Sequence, residues 1–554
     1  PNAMGGREVG GLSTQLAAHL ALEDEAHRHA VQEFWNSPRI ADQPGPKAVD
    51  LFDAIDEGRI KAVWIMATNP VVSLPDADRV KRALSRCPLV IVSDCVDRND
   101  TLSFAHIKLP AAGWAEKDGT VTNSDRHVSR QRAFQPAPGL ARPDWWIISA
   151  VTRRMGFTGF DFRGPADIFD EHARLSALSV RFGKRFDLTG LAGLSEADYA
   201  GLSPQQWPVP AGVARPASRP FADGCFSTTD GRARFVATPA RLPRHAATAE
   251  FPLVLNTGRI RDQWHTMTRT GCAPQLNAHE SEPFVDAHAH DLQAVGIAVG
   301  EIVRVVTRWG SALARVRGSG EVPAGMLFMP IHWSEQFAHE SRVGAAVNPV
   351  VDPVSGEPEF KHTPARLERV EVQWRGFLLS RASVAAPRSA WWAISAQESA
   401  SRLEFEGTGE APDAQWLRSA LPGAEACEWI EYSDPGTGSW RAALVSQGQL
   451  VACMMITRTG RLPSRGWLTS LFSRTSLEPA DRSALIRGAR RDMPDPGPTI
   501  CACFQVGANS LRAAAQAGCT TLDAIGTRLR AGTNCGSCKP EIQRRLSLAA
   551  QAGR

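Results

Sequence analysis

Lys61-Ala62-Val63-Trp64-Ile65-Met66-Ala67-Thr68-Asn69-Pro70 is a continuous apolar run that stops on a turn signal. A helical pattern follows at 76–86. A second apolar run, Leu89-Val90-Ile91-Val92, ends at Ser93-Asp94. Strand, turn, helix and strand in this order predict a βαβ unit with a parallel sheet. Ligands of such sheets bind at the carboxyl ends of the strands. Thr68, Asn69, Ser93 and Asp94 stand at those ends.

Working outward, residues 12–35 read as helix, with Leu12, Leu16, Leu20 and Leu22 on or near one apolar stripe. Residues 203–223 are rich in Pro and Ala and read as an irregular connection. From Phe251 the pattern changes to short β-rich runs at 251–256, 302–307 and 311–317, with a hairpin turn at Trp309-Gly310-Ser311. This region is expected to be a separate β-barrel. Residues 375–495 mix helix and strand signals. Their Trp391, Trp392, Trp429, Trp440 and Trp467 are expected to be core anchors. The expected fold is therefore multidomain, α/β plus β-barrel. It comprises a parallel α/β region (1–248), a six-stranded-type barrel (249–374), a small α+β domain (375–495) and a small helical domain (496–554).

The length of 554 residues exceeds what one core supports. Hydrophobic residues make up 43% and charged residues 22%, an ordinary globular balance. No run approaches the ~20 apolar residues of a membrane span, so no membrane is expected. A net charge of +4 gives no global sign of nucleic acid. The charge is uneven, however. From Asp481 to Arg554 there are ten Arg and one Lys against four Asp and one Glu, a net +6. Such a face suits either solubility or an acidic electron carrier. The chain opens Pro1-Asn2-Ala3-Met4 on a Gly-rich run, as though inside a domain, and a further N-terminal portion is expected.

Of eleven cysteines, Cys87, Cys95, Cys225, Cys272, Cys427 and Cys453 are scattered and expected to be small buried hydrophobes. The others cluster. Cys501-x-Cys503 and Cys535-x2-Cys538 are separated by 31 residues. Four thiolates can hold Zn²⁺ or a [2Fe–2S] cluster. Zinc ribbons favour two wider knuckles, and the tight first pair departs from that. It can supply both ligands of one iron, with the second pair supplying the other. Gly507, Gly518, Gly532 and Gly536 allow close backbone approach to sulfur. Helices are expected at 509–517 and 521–529, and Cys519 is expected to be buried. His279, His288 and His290 suit a surface turn better than a zinc site.

Ile500-Cys501-Ala502-Cys503-Phe504-Gln505-Val506-Gly507 and Gly532-Thr533-Asn534-Cys535-Gly536-Ser537-Cys538-Lys539-Pro540-Glu541 closely resemble the bacterioferritin-associated-ferredoxin-like [2Fe–2S] module. Asn2-Ala3-Met4-Gly5-Gly6-Arg7-Glu8-Val9-Gly10-Gly11-Leu12 resembles a segment of bacterial assimilatory nitrate reductases, which are large molybdopterin oxidoreductases. So do Thr68-Asn69-Pro70, Leu109-Pro110-Ala111-Ala112 and the loop from Glu116 to Arg126. Asn256-Thr257-Gly258-Arg259 and Gln263-Trp264-His265-Thr266-Met267-Thr268 resemble the start of that family's dinucleotide-binding domain. Asn348, Asp352-Pro353 and Pro358-Glu359-Phe360-Lys361 resemble its end. Tyr432-Ser433-Asp434, the strands at 441–456 and the Leu462–Leu468 segment resemble the small α+β docking domain that precedes the [2Fe–2S] module.

The resemblance implies a molybdenum cofactor, bis-molybdopterin guanine dinucleotide, together with the [2Fe–2S] cluster. It also implies a [4Fe–4S] cluster and a cysteine ligand to molybdenum, both expected on the N-terminal portion. Thr68, Asn69, Asp94, Lys117, Gly119, Asn123 and Arg126 are implied cofactor contacts in the α/β region. Thr257, Gly258, Arg259, His265, Thr266, Thr268, Asn348 and Lys361 are implied contacts in the barrel domain. Backbone amides, Asn and Thr donors and Arg or Lys suit a long polyanion. Arg7 and Glu8 are implied to stand near the molybdenum, where a guanidinium suits an oxyanion; a structural Arg–Glu pair is the alternative. The implied reaction is nitrate reduction in the cytoplasm, with electrons from a ferredoxin, flavodoxin or NADH-dependent reductase subunit. Two alternatives stay open. One is a molybdopterin oxidoreductase with another substrate, such as formate; the other is a cluster-binding electron-transfer or scaffold subunit.

Overall fold

The computed structural model describes residues 2–212 and 219–552. It falls into two compact units. The first contains Pro1–Thr68, Arg82–Asp97 and Phe104–Leu242; the second contains Asn69–Lys81, Arg98–Ser103 and Pro243–Arg554.

In the first unit, Ala62–Met66, Leu89–Asp94 and Ile107–Pro110 form a three-stranded parallel sheet. Met66 lies opposite Ser93, and Asp94 opposite Pro110, so the carboxyl ends are in step. Val90 and Val92 are fully buried, which is why the strand reads as an apolar run. Pro70–Ser73 and Ala77–Arg86 are helices between the first two strands in sequence. Pro70 sits in the first turn, where its missing N–H costs nothing.

The single helix expected over 12–35 is not formed. The chain makes one 3₁₀ turn at Ala17–His19 and a helix only at Glu25–Phe34. Ala18 and His19 have φ of +59° and +58°, which right-handed helix cannot contain. Asp24 then starts the helix by accepting from the Ala26 and His27 amides. Leu16, Leu20 and Leu22 are still buried, with Phe169, Phe186 and Trp207, whereas Leu12 is exposed. A hairpin of Gly119–Thr122 with His127–Gln131 completes the candidate loop. Part of the expected irregular connection, 213–218, lies outside the described residues.

The second unit begins its own chain path with a closed six-stranded barrel. Its neighbours around the ring are Ser311–Gly318, Phe284–Ala287, Met326–Pro330, Leu253–Gly258, Thr363–Arg369 and Ile302–Thr307. Leu255, Val285, Val303, Val305, Ala312, Ala314, Val316 and Leu327 fill the interior. Closure removes every sheet edge. The expected hairpin is present: the Thr307 amide donates to the Gly310 carbonyl at 2.9 Å.

A six-stranded antiparallel sheet follows, in the order Trp391–Gln397, Ala400–Gly407, Trp374–Ser380, Gln449–Thr457, Ser439–Ser446, Glu428–Asp434. Alternation sends Leu378, Leu403 and Leu444 to one face, against Leu417 and Leu421. Phe377, Leu379 and Val445 go to the other, against Leu468, Leu471 and Phe472. Trp391 is fully buried among Met267, Ile302, Leu313 and Trp333. Trp392, Trp429, Trp440 and Trp467 are half-buried at the margins of the cores. Arg315 of the barrel donates to Glu282 at 2.9 and 3.1 Å and to Glu406 of the sheet at 2.7 Å.

The C-terminal segment packs helices Ala508–Gln516, Leu522–Leu529 and Lys539–Ala552 around Ile500, Val506, Leu511, Ile525 and Ile542. Among the single cysteines, Cys87 and Cys453 are buried, and Cys427 is half-buried. Cys95, Cys225 and Cys272 are exposed, contrary to expectation. Cys95 and Cys225 lie outside the strands and helices, and Cys272 ends the short 3₁₀ helix Thr270–Cys272. Cys519 is partly buried against the C-terminal core.

Candidate functional site

Arg7 and Glu8 end the helix Ala3–Glu8. Glu8 is 1% exposed. Its Oε2 accepts from Thr122 Oγ1 at 2.8 Å and its Oε1 from Trp207 Nε1 at 2.7 Å, with His172 Nε2 at 3.7 Å from Oε2. A buried carboxylate needs such partners. Here Glu8 fastens the first helix to the hairpin. Arg7 is exposed, and no Arg7–Glu8 ion pair forms among the described residues. Glu8, Asn2, Gly5, Gly119, Thr122 and His172 line part of a cavity of about 260 Å³. A Cβ placed on Gly119 would meet nothing within 4 Å, so this wall is open.

Thr68 is exposed just past the end of its strand. Asp94 ends the next strand and accepts from the Cys95 amide at 2.7 Å. Lys117 Nζ donates to Asp144 Oδ2 at 2.6 Å. Asn123 Oδ1 accepts from the Asp125 and His127 amides at 3.0 and 2.9 Å, closing an Asx turn. Arg126 donates to the Trp207 carbonyl at 3.1 Å and lies 5.4 Å over the same indole. Of these expected cofactor contacts, Asn123 holds its own turn, while Lys117 and Arg126 tie the loop to Asp144 and Trp207.

In the second unit, Asn69 and Thr266 are brought together. Asn69 Nδ2 donates to Thr266 Oγ1 at 3.2 Å, while its Oδ1 accepts from Thr101 Oγ1 at 2.7 Å. The turn after Asn69 is held by Arg342, which is 4% exposed and donates to the Val71 carbonyl and to Asp78 at 2.9 and 2.7 Å. Arg259 and His265 are exposed and flank Trp264, at 5.7 and 4.5 Å. Burial, with Arg259 and Arg269 nearby, holds the pKa of His265 below the ordinary value, so it is neutral at pH 7. Thr268 is half-buried in the same loop.

His332 is the residue that sequence reasoning missed here. It is fully buried; its Nε2 accepts from the Ile260 amide at 3.0 Å and its Nδ1 donates to the His265 carbonyl at 2.7 Å. It therefore pins both ends of the 260–265 loop. A histidine two residues past the apolar strand Met326–Pro330, after Ile331, was the available signal.

Four further expected contacts are also engaged within the barrel domain itself. Thr257 donates to the Phe360 carbonyl at 2.8 Å, and Lys361 Nζ donates to the Thr257 carbonyl. A Cβ on Gly258 would fall 2.7 Å from the Phe328 ring, so ring packing already accounts for that glycine. Asn348 is fully buried, and its amide donates to the His362 carbonyl at 2.7 Å and to Thr363 Oγ1 at 3.0 Å. Its Oδ1 accepts from the Val350 amide at 3.0 Å. Asn348 holds its loop closed and presents no donor outward.

The cysteines meet crosswise. Cys503 Sγ lies 3.4 Å from Cys535 Sγ, and Cys501 contacts Cys538. This differs from one knuckle supplying each iron. Cys501 and Cys538 are 2% exposed, Cys503 is half-buried and Cys535 is exposed. Hydrogen bonds from the Ser537 hydroxyl and amide hold the Cys535 thiol below its usual pKa. Burial and Cys501 push Cys538 up to about 11, against a hydrogen bond from the Gly532 amide. Among the described residues no three His, Cys, Asp or Glu side chains converge on one ion. Two sulfur pairs with amide donors fit a binuclear thiolate cluster better than one tetrahedral ion. Gly507 permits the approach: a Cβ there would lie 2.0 Å from the Pro496 carbonyl oxygen. Gly507→Ala should lower the stability of this segment by about 1–3 kcal/mol, read as earlier thermal loss of metal.

His279, expected with His288 and His290 in a surface turn, is instead largely buried, its side chain 14% exposed. Its Nδ1 is 3.2 Å from Asp262 Oδ2 and its Nε2 is 3.6 Å from Glu541 Oε2. Although burial opposes it, these two carboxylates push its pKa up to about 9. The folded value exceeds the unfolded value of about 6.5. Its stabilisation is therefore complete below about pH 6.5 and lost as the pH rises through 9. Denaturant midpoints of His279→Gln should lose this alkaline decline, a difference on the order of 2–3 kcal/mol at pH 6. His288 caps the helix Ala289–Ala294, accepting from the His290 amide at 3.2 Å.

Comparison with known proteins now adds the family. Residues 2–154 match the molybdopterin oxidoreductase family model, 253–364 the molydopterin dinucleotide binding domain, and 499–547 the BFD-like [2Fe-2S] binding domain. A protein named nitrate reductase from Klebsiella oxytoca is 42% identical over 99% of this chain and 62% of its own length. A nitrate reductase from Shewanella frigidimarina is 44% identical over 71% of this chain and 44% of its own length. The assimilatory nitrate reductase catalytic subunit of Bacillus subtilis is 28% identical over 66% of this chain and half of its own length. The chain thus spans less than two thirds of the length of these relatives. With the pterin-binding region, the closed barrel and the paired cysteines in this order, the chain belongs to the molybdopterin oxidoreductases and carries a C-terminal BFD-like [2Fe-2S] binding domain.

Proposed function

We propose that this chain is the C-terminal part of a molybdenum-dependent nitrate reductase of nitrogen assimilation, converting nitrate, two electrons and two protons to nitrite and water. The observation that carries the reading is the 42% identity over 99% of the chain to a protein named nitrate reductase. The cysteine pairs would receive electrons from a ferredoxin, flavodoxin or NADH-dependent reductase subunit. In support, the segment Asp481–Arg554 has a net +6, which steers an acidic carrier.

A molybdenum held by two pterin guanine dinucleotides would supply the two-electron chemistry of nitrate reduction. This chain would bind and orient it. Arg259, neutral His265 and Thr268 lie in the exposed loop after the barrel strand, where they can meet a pyrophosphate and guanine. Asn69 and Thr266 would act as one hydrogen-bonded unit, and Thr68 and Asp94 as donors and acceptor at the strand ends. Arg7 is exposed and available to an anion near the Gly5 and Gly119 cavity. Each contacting sulfur pair would ligate one iron. Gene context and cell fractionation would test the assimilatory, cytoplasmic assignment; among the described residues no helix is long and apolar enough to cross a membrane.

The experiment is expression in a host that makes the molybdenum cofactor, followed by acid release. The expected result is a fluorescent pterin with guanosine monophosphate, and nitrite formation from nitrate with reduced methyl viologen when the N-terminal portion is joined. Formate oxidation without nitrate reduction would transfer the reading to the formate alternative. Absence of any pterin with a full cluster would transfer it to an electron-transfer subunit.

A further inference from the structure

One side chain ties the loop of Arg259 and His265 to the backbone that bears the cysteines. Arg261 Nη1 donates to Glu541 Oε2 at 2.9 Å, three residues beyond Cys538. Arg261 Nη2 donates to the carbonyl of Ile500, which precedes Cys501. Its Nε donates to Asp262 Oδ2 at 3.1 Å. Arg261 is 20% exposed, and its partners Asp262 and Glu541 are 8% and 17% exposed. His279 closes the group from the other side, between the same two carboxylates.

We infer that Arg261 is a positioning residue that docks the cysteine-bearing segment on the dinucleotide loop and raises the reduction potential of the cluster. The inference rests on the reading of the four cysteines as a [2Fe–2S] site. A guanidinium spans several acceptors in one plane, which a lysine cannot do. That fork fixes Ile500 and Glu541 at once, so both cysteine pairs are held relative to one loop. A cluster with four thiolate ligands is anionic, and it becomes more anionic on reduction. A fixed, half-enclosed cation therefore favours the reduced state and is little screened by salt.

The test uses the full chain with Arg261→Gln, Arg261→Lys and Glu541→Gln. Two quantities are read: the midpoint potential of the cluster by redox titration of its visible spectrum, and the rate at which subtilisin releases the segment after 488–498. Arg261→Gln should lower the midpoint, while Arg261→Lys, which keeps the charge, should stay close to the unaltered protein. Both should speed release about tenfold, as expected for loss of a charge-assisted hydrogen bond from a local opening equilibrium. Glu541→Gln should speed release and leave the midpoint no lower. An unchanged midpoint in Arg261→Gln at full cluster content overturns the inference. If the chain holds no cluster, the [2Fe–2S] reading itself fails, and an unaltered release rate in Arg261→Gln overturns the docking as well.

Discussion

Cys538→Ser in the full chain is expected to abolish the visible absorbance of the bound cluster, while Cys519→Ser leaves it in place. Cys538 is a sulfur of the buried pair, 2% exposed and packed with Ile500, Ile525 and Ile542. A serine there is a poorer donor to iron and buries a hydroxyl in an apolar site. The loss in cluster occupancy should exceed the roughly 10–100-fold that removing an outer partner of a metal ligand costs. Iron content and absorbance per chain check it. Equal loss in both variants would show that the core, and not ligation, was disturbed.

Arg315→Ala is expected to be the most destabilising single change outside the cysteine segment. Arg315 bridges Glu282 and Glu406 and also donates to the Gly300 carbonyl at 2.9 Å. Its guanidinium lies 5.0 Å over the ring of the fully buried Trp391. Burial already raises the Glu406 pKa against the pull of Arg315. Without the cation, that carboxylate is buried and uncompensated, a loss of about 3–5 kcal/mol. Denaturant midpoints would show it, and Arg315→Ala with Glu406→Gln should recover part of the loss, since the pair acts as a unit. Wild-type stability in Arg315→Ala would mean that the bridge between barrel and sheet contributes nothing.

Much of the architecture was legible because the burial demands were local. Ala62–Met66 and Leu89–Asp94 are apolar runs bounded by turns, and the barrel strand Ile302–Thr307 follows the β pattern and meets its partner through a short hairpin. The 12–35 segment misled because its leucines are buried from a non-helical path, set by backbone angles that no side-chain period reveals. The site was legible in which residues matter and less so in what each does. Glu8 finds Trp207 at a separation of 199 residues and Thr122 at 114. The bond of Asn348 to the His362 carbonyl and the packing of Gly258 against Phe328 were likewise not legible in sequence. Arg261, Arg342 and His332 carried no motif at all. Their importance comes from partners distant in the chain, such as Glu541 for Arg261 and Asp78 for Arg342.

Cys501, Cys503, Cys535 and Cys538 are proposed as the electron-entry centre of this molybdopterin oxidoreductase chain. Iron, zinc and acid-labile sulfide analysis of the purified full chain, with its visible spectrum, tests this most directly. The expected result is iron and labile sulfide in equal amounts, one [2Fe–2S] cluster per chain, bleached on reduction. Stoichiometric zinc with no labile sulfide would contradict it.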